Sequence, residues 1–301
     1  MRVSYFVIGL VVLTATAILG ARGERQAVKT FQIDLDLDPK ERYAKLLPYF
    51  NDTVWGFYNT YFAKDKVLTD VLYGLSKKRG IEKDPEQQAE IQAYADLSRL
   101  PLQFVQSIQM LYEIQTLMVP IVNFSKTGDL IPEKQKVFRD YVPKEYEELL
   151  RIPWRGPGCT GIIAQGEDGT VYHARNLDFS PVPVMKNLVY NGIFMKSGKE
   201  LFRSQMIAGY TMIITAAKLG SDGYAIERNT RYTDHWGGNK EMINNLESGR
   251  TLNGWTLRKI LETEATYDNA VGAISKALYA STEYAIVSGV RKGTILSKNP
   301  E

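Results

Sequence analysis

Residues that build metal and disulfide sites are scarce in this sequence. Its 301 residues include one cysteine, Cys159, and two histidines, His173 and His235. A single cysteine excludes an internal disulfide. The sequence also lacks a cluster of metal ligands, a phosphate-binding loop and a dinucleotide-binding fingerprint. We therefore expect no metal and no other cofactor, and the protein's own side chains must supply any chemistry.

A large charge of one sign is absent as well. The formal net charge is +3, and Arg2 and Arg22 supply two of the positive charges from the first 22 residues. If that segment is removed, as a signal peptide is, the remaining chain is close to neutral. Nothing in this charge balance favours nucleic acid as a partner.

Residues 1–22 are predicted to be a signal peptide. Arg2 supplies the positive start, residues 5–20 form the apolar run, and small residues lie at its end. The run is somewhat short for a membrane span, so we favour cleavage over an uncleaved membrane anchor. Such a signal leads into the secretory pathway, where the sequons at Asn51 and Asn123 become glycosylation sites.

The N-terminal half is predicted to be mainly helical. Residues 31–37 alternate between apolar and polar side chains, which predicts a half-buried strand. Residues 39–47 are predicted to be helical up to Pro48. A further helix is predicted to start at the cap residue Asp84 and to run to about Arg99.

Two segments between this half and the cysteine differ in character. Residues 117–122 form the apolar run LMVPIV, which is explained either by burial in the core or by contact with a membrane surface or lipid carrier. Residues 125–158 are polar and rich in Lys and Glu. They are interpreted as a linker that leads to Cys159.

Cys159 lies at the start of a predicted β-hairpin. Residues 160–167 and 170–177 are rich in Ile, Val, Thr and Tyr, and the Asp168-Gly169 pair between them is a strong turn signal. The hairpin places the cysteine at its open end.

The length of the turn decides which residue faces the cysteine. A two-residue turn places Cys159 opposite Asp178, whereas a four-residue loop places it opposite Asn176. Strict alternation then directs Arg175 and His173 to the other face of the hairpin. A bulge or a strand end is therefore expected if Arg175 is to reach the cysteine.

The rest of the chain predicts the fold class. Strand-like runs are predicted at residues 186–195, 206–217 and 223–228. Two helices follow, at residues 254–263 and 267–278, and then two short strands, at residues 284–288 and 293–297. This order indicates an α+β fold.

Two motifs of the hairpin carry a family resemblance. They are Gly-Cys-Thr-Gly-Ile-Ile-Ala-Gln at residues 158–165 and His-Ala-Arg-Asn-Leu-Asp-Phe at residues 173–179. Together they resemble the start of the catalytic subunit in the acid ceramidase and N-acylethanolamine-hydrolysing acid amidase family. Its members are lysosomal N-terminal-nucleophile hydrolases with an αββα sandwich, related to bile salt hydrolases. The family pattern has Ser at the position of Gly161 and Gly at that of Ala174.

The resemblance implies which residues react. Autoproteolysis between Gly158 and Cys159 would expose an α-amine on the nucleophile itself, where it can act as the base. Carried over by position, Arg175 and Asp178 belong to the catalytic site, and Asp178 orients the ammonium group. Glu227, in an Ile-Glu-Arg-Asn stretch, resembles a family glutamate that borders the catalytic centre.

The resemblance also implies the activity. Subunits of residues 23–158 and 159–301 would form an α/β heterodimer that hydrolyses N-acylethanolamines in the lysosome, with ceramide as the alternative substrate. The family has an asparagine segment near the oxyanion hole, which this sequence does not reach before Glu301, so we expect a truncated catalytic subunit. The alternative that this chain is a catalytically inactive, lipid-binding relative stays open. A papain-like protease is disfavoured because His173 is predicted to face away from Cys159.

Overall fold

The computed structural model describes the hairpin around the cysteine and much of both halves of the chain. The described residues are 28–63, 84–110, 112–113, 159–178, 185–231, 244–246 and 248–299. Several predictions lie outside these residues, namely the signal peptide, the apolar run, the linker, Asn123, Gly158 and His235. They stay predictions.

The described ranges contain nine strands and five longer helices. The strands are β1 (Thr30–Asp34), β2 (Cys159–Gln165), β3 (Val171–Leu177), β4 (Val189–Lys196), β5 (Lys199–Ile207), β6 (Thr215–Lys218), β7 (Tyr224–Thr230), β8 (Glu283–Gly289) and β9 (Lys292–Lys298). The helices are α1 (Leu47–Tyr61), α2 (Pro85–Ser98), α3 (Leu102–Ile108), α4 (Asn253–Thr263) and α5 (Tyr267–Lys276).

Seven of the strands form one mixed sheet in the order β1-β4-β5-β6-β7-β8-β9. At its edge, β1 pairs in parallel with β4, and each of the other neighbouring pairs is antiparallel. β2 and β3 form a separate hairpin that contacts β7 and β8, while α4 contacts β5 and α5 contacts β8.

The side chains of β7 identify the two faces of the sheet. Glu227 is directed toward the hairpin, where it meets His173, and its neighbour Arg228 pairs with Glu113 of the N-terminal half. Because successive side chains of a strand point to opposite faces, the hairpin and the helices lie on opposite sides of the sheet. The order of layers is helix, sheet and hairpin, and the predicted α+β class is confirmed.

A buried ion cluster joins the two halves of the chain. The Glu90 carboxylate in α2 accepts hydrogen bonds from Arg258 in α4 at 2.5 and 2.6 Å and from Arg42 at 2.8 Å. Glu90 and Arg258 are fully buried, and Arg42 is nearly so. The N-terminal half therefore belongs to the same core as the hairpin and sheet, in addition to lending β1 to the sheet.

The predicted helix over residues 39–47 is wrong, while the later helix start is correct. Residues 39–46 form turns, and α1 begins at Leu47 with Pro48 in its first turn. Proline fits there because the first N–H groups of a helix have no intrahelical partner. Pro48 therefore lies in the first turn of α1, although it was predicted to end a preceding helix. The Asp84 carboxylate caps α2 by accepting from the N–H groups of Glu86 and Gln87 at 3.0 and 3.1 Å, as predicted.

The strand predicted over residues 206–217 is in fact two strands. β5 ends at Ile207 and β6 begins at Thr215, and a buried irregular segment with Gly209 at φ +90° separates them. Within the described part of the chain, no helix is long and apolar enough to cross a membrane.

Candidate active site

The hairpin turn has a different length from either predicted turn. The Gly166 N–H donates to the Thr170 carbonyl at 2.8 Å, so three residues form the loop. Gly169 adopts the left-handed φ of +83°, which is the usual place of glycine in three-residue hairpin loops. The resulting register pairs Cys159 with Leu177. The predicted pairing with Asp178 is therefore wrong by one residue, and so is the alternative pairing with Asn176.

This shift brings the site residues to one face. A register change of one residue exchanges the faces of a strand, because side chains alternate. Gly161 pairs with Arg175 and Ile163 pairs with His173, so both of these side chains share the face of Cys159. Arg175 reaches the cysteine without a bulge, and the prediction that His173 faces away is wrong.

The Arg175 guanidinium lies directly beside the nucleophile. Its Nη2 donates to the Cys159 Sγ at 3.4 Å and to the Arg228 carbonyl at 3.2 Å. Its Nη1 donates to the Thr215 hydroxyl, and its Nε lies 4.0 Å from the Glu227 carboxylate. The side chain is 8% exposed. Contacts to β6 and β7 thus hold a permanent positive charge next to the sulfur.

Glu227 is buried beneath the hairpin, next to His173. The Glu227 Oε2 lies 3.4 Å from Nε2 of His173, whose Nδ1 lies 2.7 Å from the Ser288 hydroxyl. A Cβ atom at Gly161 would lie 1.7 Å from the Glu227 carboxylate. The glycine that departs from the family pattern therefore makes room for this buried carboxylate. Among the described residues, no group of three or more His, Cys, Asp or Glu side chains is arranged to hold a metal ion.

Asp178 occupies a different environment from Arg175. It is exposed at the end of β3, and its carboxylate accepts a hydrogen bond from the Asn176 amide at 2.7 Å. Within the described ranges it makes no hydrogen bond to Cys159. Leu177 pairs with Cys159, so Asp178 lies one position beyond the cysteine, where the bond to be cleaved is expected. Its predicted role toward the α-amine stays a prediction.

Asn51, the described glycosylation candidate, lies in α1 and is half-buried. Its Oδ1 has no hydrogen-bond partner among the described residues. Glycosylation at this residue also stays a prediction.

Tyr112 is a site residue that the sequence analysis missed. Its hydroxyl lies 3.6 Å from the Cys159 sulfur and donates to the Arg228 carbonyl at 2.7 Å. With its amide oriented to donate to the same carbonyl at 3.0 Å, Asn229 accepts from the Gly161 N–H at 3.3 Å. No local pattern marks Tyr112, because its contact with the cysteine joins residues 47 positions apart.

An apolar cavity and a polar cleft adjoin the site. Phe57, Tyr112 and Ile214 help to line the cavity, which is narrow at about 20 Å³. The cleft holds about 550 Å³ between the hairpin and the sheet, and Arg175 and Gln205 are among the residues that line it. The cysteine environment therefore borders an apolar space through Tyr112 and a polar one through Arg175.

A buried triad on the helical side of β7 contains two carboxylates and one guanidinium. Arg228 pairs with Glu113 at 2.6 Å and with Glu283 at 2.9 Å, and all three side chains are buried. Burial raises the pKa of Glu283 from 4.5 to about 7, although attraction to Arg228 opposes this shift. One positive charge balances only one carboxylate, which agrees with a proton held on Glu283 in mildly acidic solution.

This triad is expected to contribute more stability in mild acid than at neutral pH. A carboxyl whose pKa is raised by folding contributes stability that is fully present below pH 4.5 and is lost as pH rises through about 7. From this group the free energy of unfolding should fall by up to about 3 kcal/mol across that window. Urea denaturation at pH 5 and pH 8 measures the change.

Glu283→Gln should remove most of this pH dependence, because the amide cannot ionise. The exposed Glu167→Gln in the hairpin turn is the matched control and should keep it. An unchanged pH dependence in Glu283→Gln would contradict the assignment.

Comparisons with known proteins identify relatives of this chain. No family model matches the sequence. The chain is 24% identical over 292 residues to the N-acylethanolamine-hydrolyzing acid amidase of Caenorhabditis elegans, an alignment that covers 96% of this chain and 72% of that protein. It is 24% identical over 278 residues to the acid ceramidase of Heterocephalus glaber, which covers 89% and 62%, respectively.

A solved structure of the Caenorhabditis elegans N-acylethanolamine-hydrolyzing acid amidase ortholog is also similar, with 30% identity and a TM-score of 0.42. That match covers 46% of this chain and 59% of the other. The sequence relatives of both kinds align over most of this chain. Over most of its length the chain is therefore similar to N-acylethanolamine-hydrolysing acid amidases and acid ceramidases.

Proposed function

We propose that this protein hydrolyses the amide bond of fatty-acid amides, with Cys159 as the nucleophile. The contact between the Arg175 guanidinium and the Cys159 sulfur at 3.4 Å carries the proposal, because it joins the two motifs of the family resemblance. The names of the relatives agree with this chemistry, since both describe enzymes of lipid amides. N-acylethanolamines are the proposed substrates and ceramide is the second candidate.

The proposed reaction starts with the release of an α-amine on Cys159. The thiol attacks the Gly158 carbonyl, the peptide nitrogen leaves as the amine, and water hydrolyses the resulting thioester. The amine then serves as the base, and Asp178 accepts from its ammonium form. Arg175 donates to the sulfur and favours the thiolate.

Substrate cleavage repeats the same chemistry on a lipid amide. The thiolate attacks the amide carbonyl, the ammonium gives its proton to the leaving amine, and a thioester with the fatty acid forms. Water activated by the α-amine hydrolyses the thioester and releases the acid. A buried positive charge beside the sulfur suits both nucleophilic steps, because it stabilises the thiolate form.

The surroundings of the cysteine support an amphiphilic substrate. We propose that the acyl chain enters the apolar side near Tyr112, after its lining side chains move, and that the polar amine part lies in the cleft beside Arg175. The ion cluster of Glu90 and Arg258 would hold the two cleaved polypeptides together as a heterodimer. We propose that this enzyme works in the acidic lysosome after removal of its signal peptide.

The function is tested with the whole protein at pH of about 4.5–5, the acidity of the proposed lysosomal location, where a pair of α-ammonium and thiolate is the proposed reactive form. N-terminal sequencing should identify Cys159 as a new first residue, and palmitoylethanolamide should be hydrolysed faster than a short-chain ceramide. Faster ceramide hydrolysis would move the protein to the ceramidase alternative. Hydrolysis of neither amide would favour a lipid-binding relative, and activity with a new N-terminus elsewhere would contradict the mechanism.

A further inference from the structure

We propose that Tyr112 is a further catalytic residue, which the N-terminal half contributes to the nucleophile. The inference rests on the proposed role of Cys159, because it assigns a function to the one hydroxyl group that is described in contact with its sulfur. Tyr112 Oη lies 3.6 Å from Sγ, on a side chain that is 2% exposed.

The hydrogen bonds around the sulfur specify its orientation. The Tyr112 hydroxyl carries a single proton and donates it to the Arg228 carbonyl at 2.7 Å, so it presents a lone pair to the cysteine. The S–H of Cys159 then donates to Tyr112, while Arg175 donates to the sulfur at 3.4 Å. The sulfur is held between an acceptor for its proton and a donor to its lone pair.

Ionisation of the cysteine reverses one of these hydrogen bonds. When the thiol proton passes to the α-amine, the Tyr112 hydroxyl turns and donates to the thiolate. The Arg228 carbonyl stays satisfied, because Arg175 Nη2 also donates to it at 3.2 Å. The tyrosine keeps its own proton throughout, so the step transfers one proton, from sulfur to nitrogen. Tyr112 thus gives the thiolate a second donor beside Arg175.

The contact between Arg228 and the Tyr112 ring fixes the position of the Tyr112 hydroxyl. Arg228 lies over the Tyr112 ring with its guanidinium carbon 4.4 Å from the ring centroid, and Glu113 and Glu283 hold that guanidinium. Burial raises the pKa of Tyr112, with a smaller contribution from Cys159, so the phenol remains protonated at working pH. Tyr112 therefore acts as a hydrogen-bonding group and not as a base.

This arrangement divides the site between two polypeptides. Cleavage before Cys159 leaves Tyr112 on the N-terminal piece and the nucleophile on the C-terminal piece. The thiolate keeps both of its donors only while the two pieces remain associated. The N-terminal half is then part of the catalytic machinery.

The test uses the single cysteine of the chain, because iodoacetamide labels Cys159 alone. Tyr112→Phe keeps the ring beneath Arg228 and removes only the hydroxyl. We expect the alkylation rate at fixed pH to fall about tenfold, since a hydrogen bond to a charged group is lost. The kcat for palmitoylethanolamide should fall by a similar factor with KM nearly unchanged. Tyr279→Phe is the matched control, because its buried hydroxyl has no hydrogen-bond partner among the described residues.

Two results would overturn the assignment. The first is alkylation of the Tyr112→Phe protein at the rate of the wild type. The second is a raised KM of Tyr112→Phe with unchanged kcat, which would mean that Tyr112 only lines the cavity. If Tyr112→Phe does not fold, 3-fluorotyrosine at position 112 replaces it. Its more acidic hydroxyl should speed alkylation, and no change would again refute the proposal. If the wild type hydrolyses neither amide, the proposed function fails, yet the alkylation comparison still tests Tyr112.

Discussion

Cys159→Ser is expected to lower self-cleavage and amide turnover by roughly 10³-fold or more. A hydroxyl ionises far less readily than a thiol, so the α-amine can no longer produce a strong nucleophile. Serine is also smaller, and its oxygen would lose part of the contact that Arg175 makes with the sulfur at 3.4 Å. The variant should fold, because the cysteine is half-buried at the open end of the hairpin and serine is not larger.

Cleavage is followed by gel electrophoresis over time, and turnover by release of ethanolamine from palmitoylethanolamide. Thr160→Ser is the matched control, since Thr160 is exposed on the opposite face of β2. It should cleave and turn over as the wild type does. Equal activity of Cys159→Ser and Thr160→Ser, with both folded by circular dichroism, would exclude Cys159 as the nucleophile.

Glu90→Ala is expected to reduce the free energy of unfolding by about 3–5 kcal/mol, because it leaves buried guanidinium groups without their shared carboxylate. Arg258 is fully buried, and among the described residues it keeps only the partly exposed Glu262 as a carboxylate partner, at 3.0 Å. Arg42 keeps Glu86. A loss of this size is a large part of the stability of an ordinary domain.

The same change should also separate the two halves after cleavage. Glu90 and Arg42 belong to the N-terminal half and Arg258 to the C-terminal half, so the ion cluster crosses the predicted division of the chain. Size-exclusion chromatography of the cleaved protein should therefore show one species for the wild type and two for Glu90→Ala.

Urea denaturation measures the stability change. Glu200→Ala is the control, because its ion pair with Arg203 at 2.8 Å is on the surface, where such pairs contribute little. Similar denaturation midpoints for Glu90→Ala and Glu200→Ala would show that the buried cluster does not hold the halves together.

Elements whose ends depend on neighbouring residues were predictable. The Asp84 cap reaches N–H groups two and three residues ahead, and the Thr266 hydroxyl caps α5 by accepting from the Asn269 N–H at 3.3 Å. Both contacts lie within one helical turn, so the local sequence contains all the groups involved. Pro48 shows the limit of this reasoning, since proline is compatible with the start of one helix as well as with the end of another.

The candidate site was predictable only in part. The motif around Cys159 and the motif that contains Arg175 marked two of its members, and the Ile-Glu-Arg-Asn stretch marked Glu227. The predicted direction of His173 was wrong, because it followed from a turn of two or four residues, whereas the loop has three. Asp168-Gly169 is compatible with hairpin loops of more than one length, so the turn residues alone do not set the register.

The sequence by itself determined that a hairpin forms, that a lone cysteine starts it, and that an arginine lies on its second strand. Only the tertiary structure decided which face of the hairpin these residues share. The buried Glu227 fits against Gly161 and not against a larger side chain, and Arg175 finds its partners on β6 and β7. The hydrogen bond from the Tyr112 hydroxyl to the Arg228 carbonyl joins residues that are 116 positions apart in the sequence. Such contacts depend on how separate elements pack, and a linear pattern with a period of two or four residues carries no information about them.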